Sequence, residues 1–232
     1  MNRETENAAL LLVGLSIAMV TVTGTFLRYV KPALLPWLLA AASLLIAFAL
    51  ATIIGDVRGR PSRHPGDHQH RSAIAWLLVV PIVVLIFVVP PALGAGAATP
   101  TVVAVSTDVL RRAFPALPSE RAPVVSLPDV LQRLANDTAG TLNNRLVTVT
   151  GFVQHVHAAT YLARVVIVCC AADAQLARIR LAGAAATETA GLPDNSWVSV
   201  VGTATSAPTP TLEVSSLTRI DPPANTYAYY TF

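Results

Sequence analysis

The residues best equipped for chemistry sit in "RVVIVCCAADAQ", where Cys169 and Cys170 adjoin at the end of an apolar run and Asp173 follows shortly after. The chain holds only these 2 cysteines. Thiolates bind zinc or copper, a carboxylate can join them, and such a site would draw further ligands from imidazoles. His155 and His157 in "QHVHAA" are candidates, because alternate residues of a strand share a face. A second group, His64, His68 and His70 with Asp67 in "RHPGDHQHR", offers nitrogen and oxygen ligands to a transition metal. A solvated loop would look much the same.

Three readings of the cysteine pair stay open. One or both thiols could pack as small buried hydrophobes beside Val166 and Val168. They could form a vicinal or intermolecular disulfide, the vicinal form being strained and easily reduced. Or they could hold a metal. Neighbours in a regular strand point to opposite faces, so bridging or sharing one ion demands a break in the strand, for which "CCAADA" is the natural place. A thiol oxidoreductase would need the C-x-x-C spacing that this chain lacks. No nucleophile elbow, phosphate-binding loop or H-E-x-x-H is present, so no enzyme and no resident cofactor are expected. Zinc or copper are the ions to test.

The elements that carry these residues divide in two. Apolar residues make up 53% of the chain and charged ones 12%, well under the roughly 25% of a soluble domain. The apolar excess lies in residues 1–95, in stretches 8–27, 33–55 and 73–89, each near the roughly 20 residues of a spanning helix. The expectation is therefore three transmembrane helices in the plasma membrane. A cleaved signal is disfavoured because "MNRETEN" pairs one Arg with two Glu. The loop at 56–72 carries Arg58, Arg60, Arg63 and Arg71, which places it in the cytoplasm. The N-terminus is then cytoplasmic and everything past the third span extracytoplasmic. No basic cluster points to nucleic acid.

Residues 96–124 are rich in proline and read as a tether. In "SLPDVLQRLAND", Ser126 is placed to cap a short helix whose Leu127, Val130, Leu131 and Leu134 share a face. Five strand-like runs follow, from "RLVTVTGFVQ" through "YLARVVIVCC", "ARIRLAG" and "WVSVVGTATS" to "LEVSSLTRI", with "TETAGLPD" between the third and fourth. Gly151 and Gly202 each follow a V-x-V-type run, where small barrels bend. Residues 125–222 are thus expected to form an all-β, OB-like small barrel behind a short helix, with a small open sandwich as the alternative. The aromatic tail at 223–232 is expected to fray unless a partner holds it.

With these pieces placed, the ordered set "YVKP", the His- and Arg-containing loop, "VPPALGAG", "VTGFV", "VVIVCCAADAQ", "WVSVVGT" and "YAYY" resembles the YcgQ-like family of uncharacterised bacterial membrane proteins. The likeness runs over most of the chain. It implies an accessory permease subunit that works beside a multi-span permease of the YcgR type in the lipid bilayer. The family's cysteines and aspartate map onto Cys169, Cys170 and Asp173, with no catalytic role attached. The function expected is a membrane-anchored accessory subunit whose external domain binds a ligand or partner. The alternative is an extracytoplasmic metal-binding or metal-delivery protein using Cys169 and Cys170.

Overall fold

The computed structural model describes residues 3–58, 113–206 and 208–230. The chain divides into two compact units, Met1–Pro91 and Ala92–Phe232.

In the first unit, helices α1 (Arg3–Val22) and α2 (Leu35–Val57) pack against one another. Asn7, Gly14 and Thr21 recur at heptad spacing on α1, as do Ala42 and Ala49 on α2, and all are buried. Small residues at this spacing let two backbones approach closely. The approach is tight at Gly14, where a Cβ would come within 2.8 Å of the Ile46 side chain. Among the described residues a polar bond crosses the pair, from the Thr52 hydroxyl to Asn7 Oδ1 at 2.9 Å. The outward surface is apolar, with Leu12, Leu15, Met19, Leu44 and Phe48 exposed.

One N-terminal helical stretch, Pro32–Gly55, is long and apolar enough to cross a membrane. The stretch expected at 8–27 is shorter than its composition indicates. Its apolar helix covers Asn7–Val22, about 24 Å at about 1.5 Å per residue, against a hydrocarbon core of about 30 Å. It stops because Gly24 takes a left-handed φ of 73° and the chain enters a 3-10 turn at Thr25–Arg28. The third expected span (73–89) lies outside the described residues, as do 59–72 of the arginine loop and 96–112 of the tether.

In the second unit a short helix precedes a mixed six-stranded sheet. Helix α3 (Leu127–Asn136) begins as its sequence dictates, with Ser126 Oγ accepting the Asp129 N–H at 3.3 Å. The strands are β1 (Leu146–Val156), β2 (Ala159–Val166), β3 (Gln175–Ala182), β4 (Trp197–Thr205), β5 (Thr211–Arg219) and β6 (Tyr227–Ala228). β1 pairs antiparallel with β2 and β4, β2 with β3, and β4 with β5, while the β3–β5 and β2–β6 pairings are parallel.

Alternation sends Val147, Val149, Leu162, Ile179, Val198, Val200 and Leu212 into one core, which Leu127 and Val130 of α3 complete. Burying each such side chain contributes about 1.5–3 kcal/mol. Two glycines let strands approach closely. A Cβ at Gly151 would lie 2.6 Å from the Ala163 carbonyl oxygen, and one at Gly202 would strike that of Glu213. The register of β4 against β5 shifts at Val201/Gly202, the bend anticipated there. A second core gathers Phe152, Ala163, Val165, Ile167, Leu176, Trp197 and Tyr227.

Two expectations change. The described part of the tether, from residue 113, is fastened to the domain. Phe114 is buried beneath the Arg133 guanidinium, 5.2 Å from the ring centroid. Arg133 also donates to the Pro115 carbonyl at 2.9 Å and to Thr141 Oγ1 at 2.7 Å, and Arg145 donates to the Pro118 carbonyl at 2.7 Å. The Val125 N–H donates to the Thr148 carbonyl and the Thr148 N–H to the Pro123 carbonyl, both at 2.9 Å. Proline carbonyls free of helix or sheet are good acceptors, and arginines distant in sequence claim them. The tail is likewise ordered through residue 230: β6 pairs with the end of β2, and Tyr227 is 2% exposed. The second core holds the tyrosine.

Candidate functional site at the cysteine turn

β2 stops at Val166, before the cysteines, and β3 starts at Gln175. The β-branched run "VVIV" favours continuing the strand, but a carboxylate intervenes. Asp173 Oδ1 accepts the Val168 N–H at 2.6 Å, and Oδ2 accepts those of Cys169 at 2.8 Å and Cys170 at 3.1 Å. Side-chain bonds of this kind compete directly with a sheet ladder. The chain therefore leaves the strand, turns through a 3-10 segment at Ala171–Asp173, and re-enters at β3.

The turn supplies the break that neighbouring cysteines need to face one site. Cys169 Sγ lies 3.7 Å from Cys170 Sγ and donates to Asp173 Oδ2 at 2.9 Å. Both thiols are free. One ligand atom from each of Cys169, Cys170 and Asp173 fits within 4.8 Å of the others. Cys169 is exposed, Cys170 half-buried and Val168 57% exposed, so the pair is not packed as core hydrophobes. The hydrogen bond to Asp173 is the largest cause that pushes the Cys169 thiol up to about 11, followed by the contact with Cys170. Burial acts to raise the Asp173 carboxyl, but the Cys169 thiol and three backbone amides outweigh it and bring it down to about 2. An anionic carboxylate beside a protonated thiol is a poor nucleophilic pair.

The histidines are placed elsewhere. β1 ends at Val156, and His157 enters the hairpin turn with φ of 55°. The alternation that would have put His155 and His157 on one strand face is thereby lost. His155 Nδ1 pairs with Asp194 Oδ1 at 2.7 Å, and its backbone N–H donates to the same oxygen at 2.8 Å. That contact lowers the Asp194 carboxyl. His155 sits opposite Thr160 at the start of β2, whereas the cysteines follow its end. The separation is about 20 Å along the strand. Neither histidine joins the cysteine group among the described residues. His64, His68 and His70 lie outside the described residues.

Sequence reasoning missed Arg164. Its guanidinium stacks 4.7 Å from the Trp197 ring and donates to the carbonyls of Thr150, Asn225 and Tyr227 at 3.0–3.3 Å. Burial brings its pKa down to about 10. A lone Arg inside "YLARVV" gives no sign of so many distant partners. Asp194 stands only as the last residue of the connection "TETAGLPD".

The cysteine turn, His155, His157, Arg164 and Asp194 fall within one recognisable segment. Residues 129–230 match the family model of the DUF1980 C-terminal domain. It is an uncharacterised bacterial family. The DUF1980 match takes in every strand, the cysteine turn, Arg164 and β6, and leaves α1 and α2 outside. No curated protein and no solved structure matches the chain.

Proposed function

We propose that the protein is a membrane-anchored metal-binding subunit whose C-terminal domain captures a thiophilic ion at Cys169 and Cys170, with Asp173 beside them, and presents it to a multi-span permease. The sulfur separation carries the reading. At a metal–sulfur distance of about 2.3 Å, the 3.7 Å between the thiols subtends about 107° at an ion, close to the tetrahedral angle. Zinc fits this geometry, and copper(I) shares the donor preference. The ion takes the place of the proton that Cys169 shares with Asp173, and both thiol protons leave to solvent. Three donors leave a tetrahedral ion one open position, which suits transfer rather than permanent structural storage.

The accessory-subunit part rests on the N-terminal unit and on the YcgQ-like resemblance. An apolar outer surface around a small-residue seam is how a helix pair presents itself to lipid and to further helices. The full reading keeps three spans, the first a short one that the bilayer accommodates by thinning around it, with a cytoplasmic N-terminus and an extracytoplasmic domain. The strand circuit β1–β2–β3–β5–β4 and back to β1 supports an OB-like barrel.

The test is intact mass of the full chain in detergent under native conditions with zinc present. A zinc adduct that disappears in the Cys169→Ser/Cys170→Ser variant supports the reading. No adduct at micromolar zinc, with both thiols reduced, sinks it. Purification from native membranes without any co-purifying multi-span protein sinks the permease part alone.

A further inference from the structure

We infer that the C-terminal segment is a clasp that positions the cysteine turn, with Tyr227 and Arg164 as its positioning residues. The inference rests on the metal-site reading for its meaning, but not for its geometry. Both feet of the turn stand in the second core: Val165 and Ile167 on the entering side, Ala174 and Leu176 on the leaving side. Tyr227, 2% exposed, packs in the same core, and Tyr229 and Ile220 flank it. The backbone repeats the connection. β6 pairs with Val165 and Val166, and the Ile167 N–H donates to the Ala228 carbonyl at 3.2 Å, two residues before Cys169.

Arg164 locks the segment in place. It draws in the carbonyls of Asn225 and Tyr227 and braces itself on Trp197. Asn225 in turn caps the segment, its Oδ1 accepting the Tyr227 N–H at 3.1 Å and its Nδ2 donating to the Tyr229 hydroxyl at 2.7 Å. β1 pairs with β2 only as far as Ala163, so beyond that point β6 is the strand that supports β2 on this edge. Seating of the tail therefore braces the last residues of β2, the foot from which the turn held by Asp173 departs. A ligand or membrane partner that pulled the tail away would loosen the site without touching it.

The experiment compares full-length wild type with Tyr227→Ala and Tyr227→Phe, reading zinc affinity and amide exchange of Val168, Cys169 and Cys170, the three N–H groups held by Asp173. In Tyr227→Ala those amides exchange about tenfold faster or more, while the β1–β4 amides keep their protection. Zinc affinity falls by about tenfold, the size of effect seen when outer supports of a metal site are removed, and Tyr227→Phe restores both readouts. Faster exchange at Ile167 with wild-type protection at the three turn amides overturns the inference. If Tyr227→Ala does not fold, Arg164→Lys answers the same question by the same readouts. A wild type that binds no zinc would defeat the metal reading while leaving the exchange comparison to decide the clasp.

Discussion

Two aspartates in the C-terminal unit build nearly the same cradle for different ends. Asp137 accepts the backbone N–H groups of Phe114, Ala139 and Thr141, together with the Thr141 hydroxyl. Asp173 accepts those of Val168, Cys169 and Cys170, together with the Cys169 thiol. In both cases burial acts to raise the carboxyl, and hydrogen bonds win and bring it down to about 2. The surroundings differ. Asp137 follows α3 and closes a polar knot around Arg133, itself 6% exposed and paired with Asp129 at 3.3 Å. There burial raises the Asp129 carboxyl more than Arg133 lowers it. Asp173 shapes a turn whose thiols face outward. The cradle is a folding device in both places, and only at Asp173 is the fourth donor a sulfur with a second sulfur beside it.

The comparison breaks first on metal binding. Cys169→Ser/Cys170→Ser should lower zinc affinity by about a hundredfold or more, as titration against a chromophoric chelator would read. Asp137→Ala should leave zinc binding unchanged. Stability sharpens the contrast in the other direction. Asp137→Ala should cost about 2 kcal/mol, roughly a thirtyfold change in the folding constant, because it strands amides and unties Arg133 from Thr141. Asp173→Ala, in an exposed turn, should cost about 1 kcal/mol or less by denaturant titration. Equal losses would mean that the two cradles are equivalent supports.

Thiol reactivity gives a smaller effect. Asp173→Asn removes the charge and the strongest acceptor beside Cys169, letting its pKa fall from about 11 toward the ordinary 9.0. More thiolate, partly offset by lower nucleophilicity, leaves alkylation at neutral pH about tenfold faster. An unchanged rate would show that Asp173 does not control the thiol. The smallest effect is acid stability. Both carboxyls lie below their unfolded value of 3.8, so their contribution is complete above 3.8 and is lost as pH falls toward about 2. Thermal midpoints should hold down to that window and drop within it, and Asp137→Asn should flatten the drop more than Asp173→Asn.

How much of this could be read in advance depends on whether a feature is local. The cap at Ser126, the apolar face of α3 and the five main strands follow from periods and caps that span a few residues, and the structure has them where expected. β6 has only two residues and no period to detect, and its place depends on a pocket assembled from Phe152, Leu176 and Trp197. The described part of the tether escaped for a similar reason, since the arginines that hold it lie far along the chain. At the cysteines, composition pointed to a continued strand. Asp173 ends it by taking three amides, a contest that is visible only when the carboxylate's position is known.

The bond between Thr52 and Asn7 gives the first unit a key as well as a contact. Small-residue seams alone tolerate sliding, because one Ala or Gly passes another with little resistance. A single amide that finds a hydroxyl in one alignment only removes that freedom: a shift of one helical turn, about 5.4 Å, would leave the amide facing hydrocarbon side chains. An insertion of one residue into the linker after Gly24 should therefore be absorbed in that linker, leaving the helix pair in its original alignment.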